Sequence, residues 1–295
     1  MLAHKLRADG LLMLTALIWG AAFVAQRMGM DHVGPFTFNA VRFALGALAL
    51  APLIWWMKNA RRREGGGEGV STGRIVRCGA LAGCVLFAGA ALQQVGIVHT
   101  TAGKAGFITG LYVVMVPLFG LALGNRAGLG TWIGALGAAV GLYLLSVNED
   151  FTIAYGDVLE LIGAVFWAGH VLLIGRLSPG MDGVDAVRLA ATQFVVCSLF
   201  SLGAALAFEP VSLAGISAAT VPILYGGLMS VGVAYTLQVV AQRDADPAHA
   251  AIILSLEAVF AAVAGYFLLG EVLALRALIG CGLMLGGMVL SQLRP

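Results

Sequence analysis

The sequence predicts an all-α membrane protein: ten transmembrane helices arranged as two inverted five-helix repeats. Three observations carry this prediction: an apolar composition, ten apolar runs of spanning length, and a steady offset between two halves of the chain. Of 295 residues, 60% are hydrophobic and 11% charged, with mean hydropathy +0.95. A soluble domain is about 25% charged, so this chain could not cover a surface facing water. The same figures exclude disorder, collagen and a disulfide scaffold. The net charge of +2 gives no reason to expect nucleic acid as a partner. The expected partners are the lipid bilayer and a small-molecule substrate, with the protein a monomer or homodimer.

The apolar runs are 10–26, 35–57, 78–98, 105–123, 129–147, 158–174, 187–208, 221–240, 248–269 and 273–293, here called spans 1 to 10. Each approaches the ~20 residues a bilayer crossing needs. Span 1 follows Lys5 and Arg7 like the core of a signal peptide. It is long enough to cross, however, and no small-residue cleavage site precedes a soluble domain. Spans 2 to 10 are separated mostly by short connectors rich in Gly, Pro, Asp and Asn. The exception is Lys58–Arg77, with Arg61, Arg62, Arg63 and the Gly65–Gly67 run, expected to be a mobile loop. Trp55 and Trp56 close span 2 and read as an interfacial belt. With the N-terminus in the cytoplasm, four of the 17 Lys and Arg (Arg27, Arg42, Lys104, Arg276) fall outside and thirteen inside. That asymmetry supports ten spans with both termini cytoplasmic.

The halves match residue by residue. Asp9 stands ten before Trp19, and Asp157 ten before Trp167. Ala40-Val41-Arg42 opens span 2 as Ala186-Val187-Arg188 opens span 7. Leu92-Gln93 matches Leu237-Gln238, and Gly134 and Gly141 match Gly280 and Gly287. The offset stays between 145 and 148. Five spans per half is an odd number, so the second half starts from the opposite side of the membrane. Inverted repeats around a midplane site are a signature of secondary transporters. Spans 5 and 10, with glycines four apart, are expected to approach closely as a scaffold or a dimer contact. Pro52, Pro117 and Pro222 are expected to kink their spans, with hinging as the alternative. Cys78, Cys84, Cys197 and Cys281 lack metal-ligand spacing and read as packing thiols.

The two halves resemble two EamA domains of the drug/metabolite transporter superfamily, over residues 10–147 and 155–292. Trp19-Gly20 and Trp167-Ala168, Arg42 and Arg188, and Phe267-Leu268-Leu269-Gly270-Glu271 before a Gly-rich last span carry the resemblance. The first half departs from the Leu-Gly-Glu pattern, with Asn125 in the Glu position. Ala258 stands where the family often has Pro. Among members, the chain looks most like the YddG-type amino acid exporters. The resemblance implies a substrate cavity between the halves and export of amino acids and related small metabolites across the inner membrane. It implies no cofactor. The sequence likewise contains no phosphate-binding Gly-rich loop ending in Lys-Ser/Thr.

Intramembrane polar residues are costly, so each needs a partner or a cavity. Gln93 and Gln238 are repeat-equivalent, and an amide can meet either end of an amino acid. Interhelical bonding is the alternative for both. Glu257, about ten residues into span 9, is the most deeply placed acid and a candidate for a substrate ammonium or a proton, with a protonated or paired group that fixes helix packing as the equal alternative. Tyr112 is its match in span 4. Trp19, Trp167, Tyr112 and Tyr235 suit a cavity for apolar or aromatic side chains, with core or lipid contact the alternative and, for any one of them, the better reading. His170, three residues after Trp167, is a candidate proton carrier, against a neutral ring bonded to a backbone carbonyl. Glu160 is expected to snorkel to the outer interface. His99 and His249 are expected near the interfaces, and Lys104 as a solvated anchor. No His-Glu-x-x-His site, Gly-x-Ser-x-Gly turn or mid-helix Asp pair points to an intramembrane enzyme, and a receptor has no use for inverted halves. A sugar-phosphate or nucleotide-sugar exchanger is the second transporter reading. It needs midplane cations, whereas the basic residues are placed at span ends.

Overall fold

The computed structural model describes residues 2–64, 69–100, 102–124, 127–146, 154–269 and 275–293. Asn125, Gly270 and Glu271 of the family pattern, the Gly65–Gly67 run and the side chain of Lys104 lie outside what is described. All regular structure among the described residues is helical. Spans 1 to 3 are α1 (Leu2–Gly29), α2 (Pro35–Arg63) and α3 (Thr72–His99). Span 4 is two pieces, α4 (Ala102–Gly110) and α5 (Tyr112–Ala122), and span 5 is α6 (Leu129–Ser146). Spans 6 and 7 are α7 (Tyr155–Leu177) and α8 (Gly183–Phe208), followed by a short α9 (Leu213–Ala218). Span 8 is α10 (Thr220–Leu224), a π-helix over Tyr225–Tyr235, and α11 (Thr236–Ala241). Span 9 is α12 (Pro247–Leu254) and α13 (Glu257–Leu269), and span 10 is α14 (Leu275–Leu293).

Eight of these helical stretches are long and apolar enough to cross a membrane, and two shorter apolar helices fall in spans 5 and 10. Leu48, Leu81, Leu136, Phe200 and Leu206 point outward, as expected where the solvent is lipid. Trp55 and Trp56 are exposed near the end of span 2, and Cys84 is exposed rather than packed inside.

Spans are held together by close backbone approach, because lipid tails remove most of the apolar driving force between helices. Spans 5 and 10 form the most extensive pair, which makes them a scaffold within one chain. A Cβ on Gly141 would lie 2.6 Å from Gly280 O, and one on Gly287 would lie 2.6 Å from Gly134 O. These two contacts exchange when each residue is replaced by its repeat mate. They also run in opposite senses along the two helices, so the mates are antiparallel. Spans 2 and 7 repeat the arrangement: Ser198 donates to Ala40 O at 2.8 Å, and at the other end Arg61 pairs with Asp182 at 2.8 Å. The pairings 3 with 6 and 3 with 7 have counterparts in 8 with 1 and 8 with 2. Each half is therefore an upside-down copy of the other.

Both ends of the span 2–7 pair are fastened. Where α2 begins, Glu209 accepts from Phe36 N at 2.7 Å, from Thr37 N at 2.8 Å and from the Thr37 hydroxyl at 2.7 Å. A carboxylate at a helix N-terminus satisfies orphan N–H groups and meets the favourable end of the dipole. Glu209→Ala is expected to cost about 1–2 kcal/mol, read as a lower thermal midpoint in detergent, with Glu209→Gln recovering part of it. At the opposite end, Asp182 caps α8 through Asp185 N at 2.7 Å. Partial burial would raise its carboxyl, but that bond and the Arg61 contact outweigh it and hold the group below the ordinary aspartate value.

The repeat mates Asp9 and Asp157 form a second symmetric pair of ties. Asp9 meets His249 at 2.9 Å, joining spans 1 and 9 on the face where the chain begins. Asp157 accepts from Thr100 and joins span 6 to the end of span 3 on the far face. His249, in the first turn of α12, is thus buried and bonded within the protein.

Proline does not place the breaks. Span 2 runs through Pro52 and α5 through Pro117 as continuous helix. Span 4 breaks at Leu111 and span 9 at Ser255-Leu256, immediately before the repeat mates Tyr112 and Glu257. The irregular part of span 8 follows Pro222 by three residues.

Candidate functional site

A partly open cavity, with about 460 Å³ of empty space counted together with its mouth, lies where the repeats meet. Spans 1, 2, 3, 4, 6, 8 and 9 all contribute to its wall. Six of the seven sequence candidates are there: Trp19, Gln93, Tyr112, Trp167, Gln238 and Glu257. The breaks in spans 4 and 9 explain two of them. Tyr112 and Glu257 begin the second halves of their spans, so both side chains leave the backbone at mid-depth. The Tyr112 hydroxyl donates to Glu257 Oε1 at 3.3 Å, so two equivalent positions of the duplicated unit touch across its pseudo-axis. Glu257 also sits in the first turn of α13, where the helix dipole favours negative charge.

Aromatic rings form one wall. Trp19 and Tyr235 lie 4.5 Å apart at 58°, and Trp167 stacks on Tyr235 at 6.1 Å and 24°. Trp19 Nε1 donates to Ser230 O at 3.3 Å and Thr15 donates to Ala234 O at 3.2 Å. Both acceptors belong to the π-helix, whose wider turn redirects backbone groups and often marks functional sites. Gly89 leaves room for Trp167, since a Cβ there would lie 3.2 Å from the indole.

The amides differ in how far the protein satisfies them. Gln93 Nε2 donates to Gln26 Oε1 at 3.1 Å. Gln238 Oε1 and Trp167 Nε1 are buried with no hydrogen-bond partner among the described residues. An unpaired acceptor and an unpaired donor on the cavity wall need a ligand or water to complete them.

Three expectations are corrected. His170 does not line the cavity. Its ring meets Gln193 Oε1 at 2.9 Å, a side chain rather than a backbone carbonyl, and stands edge-on behind Trp167. Glu160 does not snorkel. It is fully buried and accepts from Thr109 at 3.1 Å, because its direction from α7 is inward toward spans 3 and 4. The basic residues are not all at span ends: Arg42 is 2% exposed and lines the cavity. Gln26, Thr109 and Ser230 were also missed as lining residues. Gln26 stood at a predicted boundary, and no helix-period signal marks the π-helix that turns Ser230 inward.

A second cavity of about 230 Å³ is lined by Val116, Pro117, Leu172, Asp246 and Ala248 among others, nearer the face where the chain begins. Adjacent residues of span 6, Val171 and Leu172, border the first and second cavities respectively.

Comparison with known proteins agrees with this architecture. The model of the EamA-like transporter family matches residues 6–147 and 154–293. An uncharacterized transporter of Archaeoglobus fulgidus is 32% identical, covering 98% of this chain and 87% of that one. The uncharacterized inner membrane transporter YedA of Escherichia coli K12 is 27% identical, covering 96% and 90%. A protein of Streptantibioticus cattleyicolor named as a probable terminal-alkyne amino-acid exporter is 27% identical, covering 96% and 92%. One solved crystal structure shares the fold, with a TM-score of 0.76 over 97% of this chain and 96% of that one at 18% identity. With both halves matched nearly end to end, this chain belongs to the EamA-like transporter family.

Proposed function

We propose that this protein exports amino acids, including aromatic or apolar ones, and related small metabolites across the inner membrane by alternating access. The carrying observation is the cavity at the junction of the repeats, with aromatic walls and polar groups left unpaired among the described residues. The likeness to a probable amino-acid exporter supports the same class. Residues 10–147 and 155–292 act as the two exchanging units, both termini are cytoplasmic, and no enzymatic step is involved. Gln93, Gln238, Trp19, Trp167, Tyr112 and Glu257 contact the cargo, with His170 behind the indole. Solute in the first cavity reaches the second when the layer at Val171-Leu172 parts, and the ties at Asp9 and Asp157 alternate in holding the two faces. Among the described residues the wall carries one cation, Arg42, and one acid, Glu257, which suits a zwitterion better than a phosphate dianion.

Counterflow of labelled amino acids in proteoliposomes tests this reading. Exchange of apolar and aromatic amino acids is expected, and no flux of any of them would overturn it. Gln238→Ala is expected to slow exchange about tenfold, since its Oε1 has no partner among the described residues. Gln93→Ala is expected to slow it less, because that amide is already engaged by Gln26. Unchanged rates in both variants would remove the amides from the site.

A further inference from the structure

Arg42 is among the largest fully buried side chains of the protein. Its Nε donates to Asn39 Oδ1 at 2.8 Å, and Asn39 Nδ2 in turn donates to Ala90 O at 3.0 Å. The guanidinium carbon lies 4.9 Å from the Phe43 ring centre and 5.5 Å from that of Phe38. Among the described residues it has no ion pair, and no bond is made by its two terminal nitrogens. A buried guanidinium without a counter-charge is costly in a membrane protein. Here it borders the central cavity.

The duplication shows what is missing. Arg188 is the repeat mate of Arg42, and Asp185 is the mate of Asn39. Arg188 Nη1 donates to Asp185 Oδ1 at 2.9 Å and to Val70 O at 3.1 Å, and Nη2 donates to Thr72 at 2.8 Å. The second copy thus carries its own counterion three residues before the arginine. In the first copy an amide replaces that carboxylate. It keeps the acceptor that orients the guanidinium and removes the charge that would neutralise it.

We propose that Arg42 is the receptor for the carboxylate of the transported solute, left without an internal counterion so that cargo supplies one. A guanidinium presents paired N–H donors to a carboxylate, and Asn39 is its positioning residue. The Tyr112–Glu257 pair on spans 4 and 9 receives the ammonium, and the Trp19–Tyr235–Trp167 wall takes the side chain. The cargo class is therefore zwitterionic α-amino acids, discriminated from their amides and from the corresponding amines. This inference rests on the amino-acid reading of the cavity.

The test is counterflow of labelled L-phenylalanine into proteoliposomes holding the full chain, with unlabelled L-phenylalanine, L-phenylalaninamide and 2-phenylethylamine as competitors. In the wild type, the amide and the amine are expected to compete at least tenfold more weakly than the acid. Arg42→Gln is expected to lose that discrimination, with the acid falling to the level of the amide, and Arg42→Lys to keep part of it. Asn39→Asp restores the counterion of the second repeat and is expected to weaken the acid while leaving the amide unchanged. A general packing defect would weaken both alike. Equal competition by acid and amide in the wild type overturns the proposal, and so does an unchanged ratio in a folded Arg42→Gln. Should Arg42→Gln fail to fold, the wild-type ratio and Asn39→Asp decide. Phenylalanine exchange with an unaltered acid-to-amide ratio sinks Arg42 alone, whereas no exchange of labelled L-phenylalanine or of any other apolar or aromatic amino acid by the wild type sinks the amino-acid reading and this inference with it.

Discussion

Gly20→Val is expected to destabilise the transporter by roughly 3 kcal/mol, at or beyond the upper end of ordinary overpacking. A Cβ at Gly20 would lie 2.6 Å from Phe260 Cβ, 2.7 Å from Glu257 O and 2.8 Å from Ala261 N. Two of those three atoms are backbone, so no rotamer change relieves the clash and span 1 must move away from span 9. The displaced segment is the start of α13, which holds Glu257 at the cavity. Gly20→Val is therefore expected to lower both the thermal midpoint in detergent and the rate of exchange in proteoliposomes. Gly20→Ala is expected to fall between, at about 1–3 kcal/mol. Gly10 provides the control on the same helix, since no atom of the described residues lies within 4 Å of a Cβ there. Gly10→Ala should be neutral or stabilise by up to about 1 kcal/mol through the lower chain entropy of alanine. A Gly20→Val protein that melts with the wild type would show that spans 1 and 9 do not meet at this point.

The architecture was legible because it is written in long-period signals. Ten apolar runs set the spans, and the constant offset between Trp19 and Trp167, or Gly134 and Gly280, set the duplication. Five spans per half then forces inversion, and the Gly141–Gly280 and Gly134–Gly287 contacts show the antiparallel mates. The breaks were not legible. Both fall before Tyr112 and Glu257 without a proline at the break, in sequence as apolar as the flanking helix. The π-helix of span 8 is equally silent, because its Gly226-Gly227 and Gly232 also suit close packing of an ordinary helix. These irregular segments are where backbone is redirected toward the cavity, so these positions of the candidate site carry the weakest periodic signal.

The site was half legible for a related reason. Polar type and depth picked out Gln93, Gln238 and Glu257, but depth alone does not say which way a side chain points. His170 and Glu160 show the limit. Both are deep and polar, yet His170 is taken up by Gln193 and Glu160 by Thr109. Arg42 shows the opposite failure. Counting it among charges on one side of the membrane served the orientation argument and hid its burial. The signal that would have found it was present in the alignment of the halves: Asn39 where the second copy has Asp185.

Glu257→Gln is expected to reduce kcat/KM for amino acid exchange by about two- to thirtyfold while the protein stays folded. Gln has the size of Glu and can still accept the Tyr112 hydroxyl, whose bond to Oε1 spans 3.3 Å. What it loses is the charge that, in the proposed site, would turn an ordinary hydrogen bond to a substrate ammonium into a charge-assisted one. Such bonds contribute about 1.5–3 kcal/mol against about 1 for neutral pairs, and each 1.4 kcal/mol is a factor of ten. Tyr112→Phe leaves the carboxyl in place and removes only its positioning, so a two- to fivefold loss is expected, in the range of one neutral hydrogen bond. The stability readout separates this from a packing role. Glu257 is 4% exposed, and burying an amide costs less than burying a carboxylate, so the thermal midpoint of Glu257→Gln should hold or rise even as transport falls. N-acetylation of the amino acid removes the ammonium and should abolish the difference between wild type and variant. If Glu257→Gln exchanges amino acids at the wild-type rate at every pH tested, the carboxyl touches neither cargo nor a coupled proton, and the Tyr112–Glu257 contact serves to join the two repeats at their axis.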